Sequence, residues 1–148
     1  MHTTAHAGEA AGSVSLWGAI RSLQVERIGH GVRSIEDEEL LAYLAKTQLP
    51  LELCPLSNVR TGVVKSIDEH PARKLFERGL FITVNTDDPK MFGNSLAEEY
   101  RLLVERLGFS RPEERSLILN AISASWLPPD RKAAMQTQFR VDPGWQEN

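Results

Sequence analysis

The chain has 148 residues, 41% of them hydrophobic and 25% charged, with a formal net charge of −3. That length supports one domain with a real core but falls short of the about 250 residues of a complete eight-stranded α/β barrel. The composition excludes a disordered chain, and with no basic run or arm there is no footprint for nucleic-acid phosphates. The single cysteine, Cys54, rules out an internal disulfide and a multi-cysteine zinc site, and it fits a reducing, cytoplasmic setting. No apolar stretch reaches the about 18 residues of a membrane helix, and the amino terminus lacks the basic start and apolar core of a signal peptide.

In chain order, residues 3–6 are a short β-leaning run closed by Gly8. A helix is predicted over 13–23, with Val14, Trp17, Ile20 and Leu23 as its apolar stripe. Residues 25–28 read as a strand that ends at Gly29-His30-Gly31. Ser34 or Asp37 can cap the next helix, which buries Leu40, Leu41, Leu44 and Ala45 and is stopped by Pro50. Residues 51–54 form a strand, 56–67 lack a period and read as a loop, and Pro71 opens a helix that Gly79 ends. Residues 80–85 are the strongest strand, a β-branched run of the kind buried in parallel sheets. Helices are then predicted over 96–107, 112–125 and 129–138, followed by a frayed polar tail from residue 142. The succession is consecutive βαβ units, so a parallel α/β sheet is expected. Trp17, Phe76, Phe81 and Trp126 are assigned to core packing, and His2 and His70 to the surface or a strand end.

Polar residues end each of the four strands, on what would be one rim of that sheet. In His6-Ala7-Gly8-Glu9 a glycine turn can bring an imidazole and a carboxylate to one place, a neutral metal ligand beside a proton carrier. The alternative is a strand-end His and a helix-start Glu favoured by the dipole. His30 sits between glycines that allow close approach, a spelling that a plain turn also produces. Asp87 and Asp88 are adjacent carboxylates after a buried strand, which repel unless a cation or a substrate donor separates their roles. The alternative there is an Asx turn with Pro89 opening a helix. Cys54 has no local His to activate it and reads as a small buried residue, with Ser57 and Asn58 as polar wall or support.

Taken together these stretches resemble the adenosine deaminase family of metal-dependent aminohydrolases. Cys54-Pro55-Leu56-Ser57-Asn58, Asn85-Thr86-Asp87-Asp88-Pro89, Glu99-Tyr100 and the run Ser125-Trp126-Leu127-Pro128 follow in that family's order. The resemblance implies the carboxyl-terminal half of a TIM-type (β/α)8 barrel of the metal-dependent hydrolase kind, about strands five to eight plus extra C-terminal helices. It treats residues 1–148 as one partial barrel domain whose amino-terminal half is absent. It implies one divalent ion, Zn2+, held by His6 and Asp87, with Glu9 protonating the purine ring. His30 would orient or deprotonate the attacking water, while Asp88 and Gly8 would bind the purine. The implied reaction is hydrolytic loss of the 6-amino group as ammonia from adenosine, adenine or a related nucleoside. The family's first strand carries a His-x-His ligand pair that this chain lacks. The implied partners are therefore a small-molecule purine, the missing half or a second copy, and neither nucleic acid nor a membrane. The competing expectation is a non-catalytic half-barrel that associates with a partner chain.

Overall fold

Apolar β-leaning residues make four short strands: β1 (Thr4–Ala7), β2 (Arg27–His30), β3 (Leu51–Leu53) and β4 (Ile82–Val84). In the computed structural model, which describes residues 1–145, they form one sheet in the order β1-β2-β3-β4 with every pair parallel. The register places Ala5, Ile28, Leu51 and Ile82 in one row across the sheet. The next row is His6, Gly29, Glu52 and Thr83. Because side chains alternate between faces, the first row is apolar and faces the helices while the second presents polar groups to the opposite side. Ile28, Leu51 and Ile82 are completely buried.

The crossovers carry α1 (Ser13–Arg21), α2 (Glu38–Thr47), α3 (Pro55–Arg60) and α4 (Ala72–Glu77). They bury Leu16, Leu40, Leu44 and Leu75 against the apolar row. Of the two predicted caps of α2, Asp37 does the work: its Oδ1 accepts from Leu40 N–H and its Oδ2 from Trp17 Nε1. After β4 come α5 (Pro89–Phe92), α6 (Leu96–Leu107), α7 (Arg111–Ala124) and α8 (Pro129–Val141). Helix α7 buries Leu117 and lies against β4, where Asn120 Nδ2 donates to Ile82 O at 3.1 Å. Arg73 on α4 pairs bidentately with Glu113 on α7 at 2.8 and 3.0 Å and stacks on Phe109, tying the crossover layer to the last helices. No helix among the described residues is long and apolar enough to cross a membrane.

Four expectations are corrected. The buried face of α1 is Leu16 and Ala19, whereas Val14 is 83% and Leu23 60% exposed. That sequence offers two apolar stripes, and the position of the sheet selects between them. Residues 56–67 are not a loop throughout, since Pro55 opens α3; six residues are too few to show a period, and Pro at the first helical position was the available signal. Trp126 is not core: it is 38% exposed and stacks on Arg27 and His2. The described part of the tail forms a 3-10 turn, Pro143–Trp145, with Trp145 on Phe139; residues 146–148 lie outside the described residues.

Candidate active site

All four strands point the same way, so their carboxyl ends share one rim, and the polar residues predicted for the site gather there. After β1, Gly8 turns at φ +65° with its position packed against Leu16, and this brings Glu9 back over the strand ends. His30 closes β2 in a left-handed conformation, φ +64°, followed by Gly31 at +71°. Asp87, three residues beyond β4, is also left-handed at +58°. A non-glycine residue pays for that conformation, and such strain concentrates where a side chain has to be aimed.

The result is a convergence on the His30 ring. His30 Nε2 lies 3.4 Å from Glu9 Oε2 and 3.8 Å from Asp87 Oδ2, and the His6 ring meets it edge-on with centroids 4.9 Å apart. His6 lies over Gly29, where a Cβ would fall 2.5 Å from His6 Cδ2 and 3.0 Å from Nε2. Only a residue without a side chain leaves room for that ring. Ser57 Oγ donates to Asp87 Oδ2 at 2.7 Å, fixing the carboxylate. Burial holds the His30 pKa below its ordinary value, outweighing the Glu9 and Asp87 charges, so the ring is neutral at neutral pH. Burial, with Asp87, Glu99 and Glu52 nearby, pushes the Cys54 thiol up, which removes it as a nucleophile and agrees with its reading as a small buried residue.

Donor atoms of His6, Glu9 and His30, and separately of His30, Cys54 and Asp87, lie within 4.8 Å of one another, so imidazole and carboxylate donors of the kind that suit a divalent ion meet around His30, although neither group holds both His6 and Asp87. Beside them a cavity of about 780 Å³ is lined by His6, His30, Asp87, Tyr100, Ile118 and Leu127, among others. A space of that size with apolar walls and a few convergent polar groups suits a small organic ligand.

Two predicted residues have additional duties. Asp88 Oδ1 caps α5, accepting from Lys90 and Met91 N–H at 2.9 and 2.8 Å, so the Asx-turn alternative also holds and Oδ2 is left over from the cap. Gly8 N–H is spent on Ser15 Oγ and its carbonyl accepts from Arg33 N–H, both at 2.9 Å.

Two residues behind the rim, His70 and Glu99, carry no recognisable signal as site supports, whereas Asn58 reads as one from the sequence. His70, assigned to the surface or a strand end, is 3% exposed and bonds Asn58, which in turn bonds His30. Glu99 on α6 is fully buried and accepts from Leu56 N–H of α3 and from Asn94, clamping the segments that carry Ser57 and Asp87. Burial of that carboxylate raises its pKa.

Parallel βα units presenting His, Glu, His and Asp at the carboxyl rim define a stretch of TIM-type barrel of the metal-dependent amidohydrolase kind. A family model described as adenosine deaminase matches residues 1–140, and the chain belongs to that family. It is 43% identical over 134 residues to an adenosine deaminase of Klebsiella pneumoniae, covering 90% of this chain and 40% of the relative. Among solved structures it is similar to an adenine deaminase from Arthrobacter aurescens, with a TM-score of 0.93 and 36% identity over 100% of this chain and 44% of that one. It also matches an amidohydrolase from Burkholderia ambifaria with bound Zn, with a TM-score of 0.88 and 29% identity over 99% of this chain and 41% of that one. The chain thus spans about two fifths of the length of the relatives it matches.

Proposed function

We propose that this chain supplies strands five to eight of a barrel that hydrolyses the 6-amino group of adenine, adenosine or a related 6-aminopurine, releasing ammonia and the 6-oxo purine. One observation carries the reading: His30 Nε2 is held between Glu9 Oε2 and Asp87 Oδ2 beside the His6 ring, at the wall of a cavity of about 780 Å³.

His6 and Asp87 are the residues that would hold the ion, which we take to be zinc, as in the structural relative with bound Zn. When bound, such an ion would supply Lewis-acid activation of water at neutral pH. Two ligands are fewer than the three that catalytic zinc takes from protein, so the remaining strands of the barrel complete the set. Glu9 donates a proton to the purine ring as attack at carbon 6 builds up charge, and His30 orients the attacking water. Asp88 Oδ2 accepts from the purine, while Gly8, packed against Leu16 and with both backbone groups bonded within the chain, serves by turning Glu9 toward the rim.

The test joins this chain to the amino-terminal half of a relative and measures ammonia release from adenine and adenosine with zinc present. Glu9→Gln keeps the size and hydrogen bonding of the side chain but removes its proton, so the rate should fall by ~10²–10⁴-fold with zinc content unchanged. Near-normal turnover in that variant would overturn the assignment.

A further inference from the structure

Behind His30, away from the cavity, buried groups form one hydrogen-bonded line. Ala72 N–H donates to His70 Nδ1 at 3.2 Å, His70 Nε2 lies 3.2 Å from Asn58 Oδ1, and Asn58 Nδ2 lies 3.1 Å from His30 Nδ1. The three side chains are exposed by only 3% for His70, 0% for Asn58 and 1% for His30.

The line has a direction, because one end is a backbone amide that can only donate. Pro71 has no N–H, so Ala72 offers the first amide after His70. His70 Nδ1 therefore accepts, and its neutral ring carries hydrogen on Nε2. That hydrogen goes to the Asn58 carbonyl, which fixes which way the amide faces. The amide nitrogen then donates to His30 Nδ1, and a neutral imidazole that accepts at Nδ1 carries its only hydrogen on Nε2. Any reversal sets two donors or two acceptors face to face where no water can intervene, which costs about 1–3 kcal/mol for each unsatisfied group. Burial supports the same scheme by lowering the His70 pKa to about 4, which keeps that ring neutral.

We infer that His70 and Asn58 are positioning residues that lock His30 as the Nε2–H tautomer, so that His30 presents a hydrogen-bond donor to the reacting water rather than a base. The groups that Nε2 faces agree, since the oxygens of Glu9 and Asp87 at 3.4 and 3.8 Å are acceptors when ionised. The role at the water rests on the deaminase reading, whereas the tautomer does not.

Nitrogen NMR of the histidine-labelled 148-residue chain, at neutral pH without metal or substrate, reads the tautomer from the ring shifts. Signals are assigned with His30→Gln and His70→Gln. Both rings should show a protonated Nε2 and a bare Nδ1. In Asn58→Asp, a carboxylate in place of the amide demands hydrogen from both neighbours, so His30 Nδ1 should shift to the protonated position. In His70→Phe the amide loses the donor that orients it, and His30 should give the intermediate shifts of a tautomer mixture. A bare His30 Nε2 in the unaltered chain overturns the inference, as does a His30 tautomer that neither variant moves. The unaltered chain decides the matter even if a variant does not fold. Ammonia release by the joined barrel tests the deaminase reading separately.

Discussion

Gly29 shows how little room the proposed metal ligand His6 leaves for variation. With a Cβ due 2.5 Å from the His6 ring, Gly29→Ala has to push the imidazole aside, while the backbone there tolerates alanine because its φ is ordinary. In the joined barrel, zinc affinity measured by titration should fall by the ~10–100-fold typical of groups that orient a ligand, with the fold intact by circular dichroism. Unchanged affinity would show that His6 does not hold the ion. The two aspartates should separate just as clearly. Asp87→Ala should strip zinc, whereas Asp88→Ala should keep it, weaken purine use, and cost the ~0.5–2 kcal/mol of a lost helix cap at α5. Equal metal loss in both would contradict the division of labour. At this scale His6, Glu9, His30 and Asp87 were legible because each lies within three residues of a strand end, where local spelling and position coincide. His70 was not legible, because a His before a Pro reads the same on a surface as in a core.

Helices α3 and α4 are short, and their worth lies in what they connect. Asn58 on α3 receives His70, which precedes α4, and passes the contact to His30 on β2, so three elements meet through directly bonded, buried polar groups. This makes stability depend on pH. The His70 pKa is about 4 in the fold against an ordinary 6.5, so the unfolded chain binds the extra proton first as pH falls. Stability is fully present above pH 6.5 and is lost progressively between there and 4, by about 3 kcal/mol. The His30 ring, also held neutral by burial, acts in the same direction. Denaturant unfolding at neutral and mildly acidic pH should show this loss, and His70→Phe should reduce it. An unaltered pH dependence in that variant would refute the assignment. The element order and the parallel topology followed from turn residues and apolar runs, but the face α1 buries did not. Leu16 and Val14 are equally apolar in sequence, and only the packing of Leu16 over the Gly8 turn distinguishes them.

Over the whole molecule, β1 and β4 are the outer strands of a four-stranded sheet whose relatives are more than twice as long. An outer parallel strand offers unpaired backbone groups, so this chain should associate, either with the remaining strands of a barrel or with a second copy. Taken alone with added zinc, the 148-residue chain should release ammonia from adenine or adenosine poorly or not at all, because the two proposed ligands, His6 and Asp87, fall short of the three that catalytic zinc takes from protein. Robust turnover by a homogeneous monomer would overturn that expectation, and size in solution would report the association. The sequence by itself determined the family, the parallel βα order and which four polar side chains would meet at the rim, since strand ends, glycine turns and paired carboxylates are written locally. Only the tertiary structure decided which sheet face is polar, that His6 lies in the space left by Gly29, and that His70 and Asn58 stand behind His30. Those contacts join residues 12 to 28 positions apart in the chain, and their directions depend on register and on one backbone amide, neither of which a local pattern can specify.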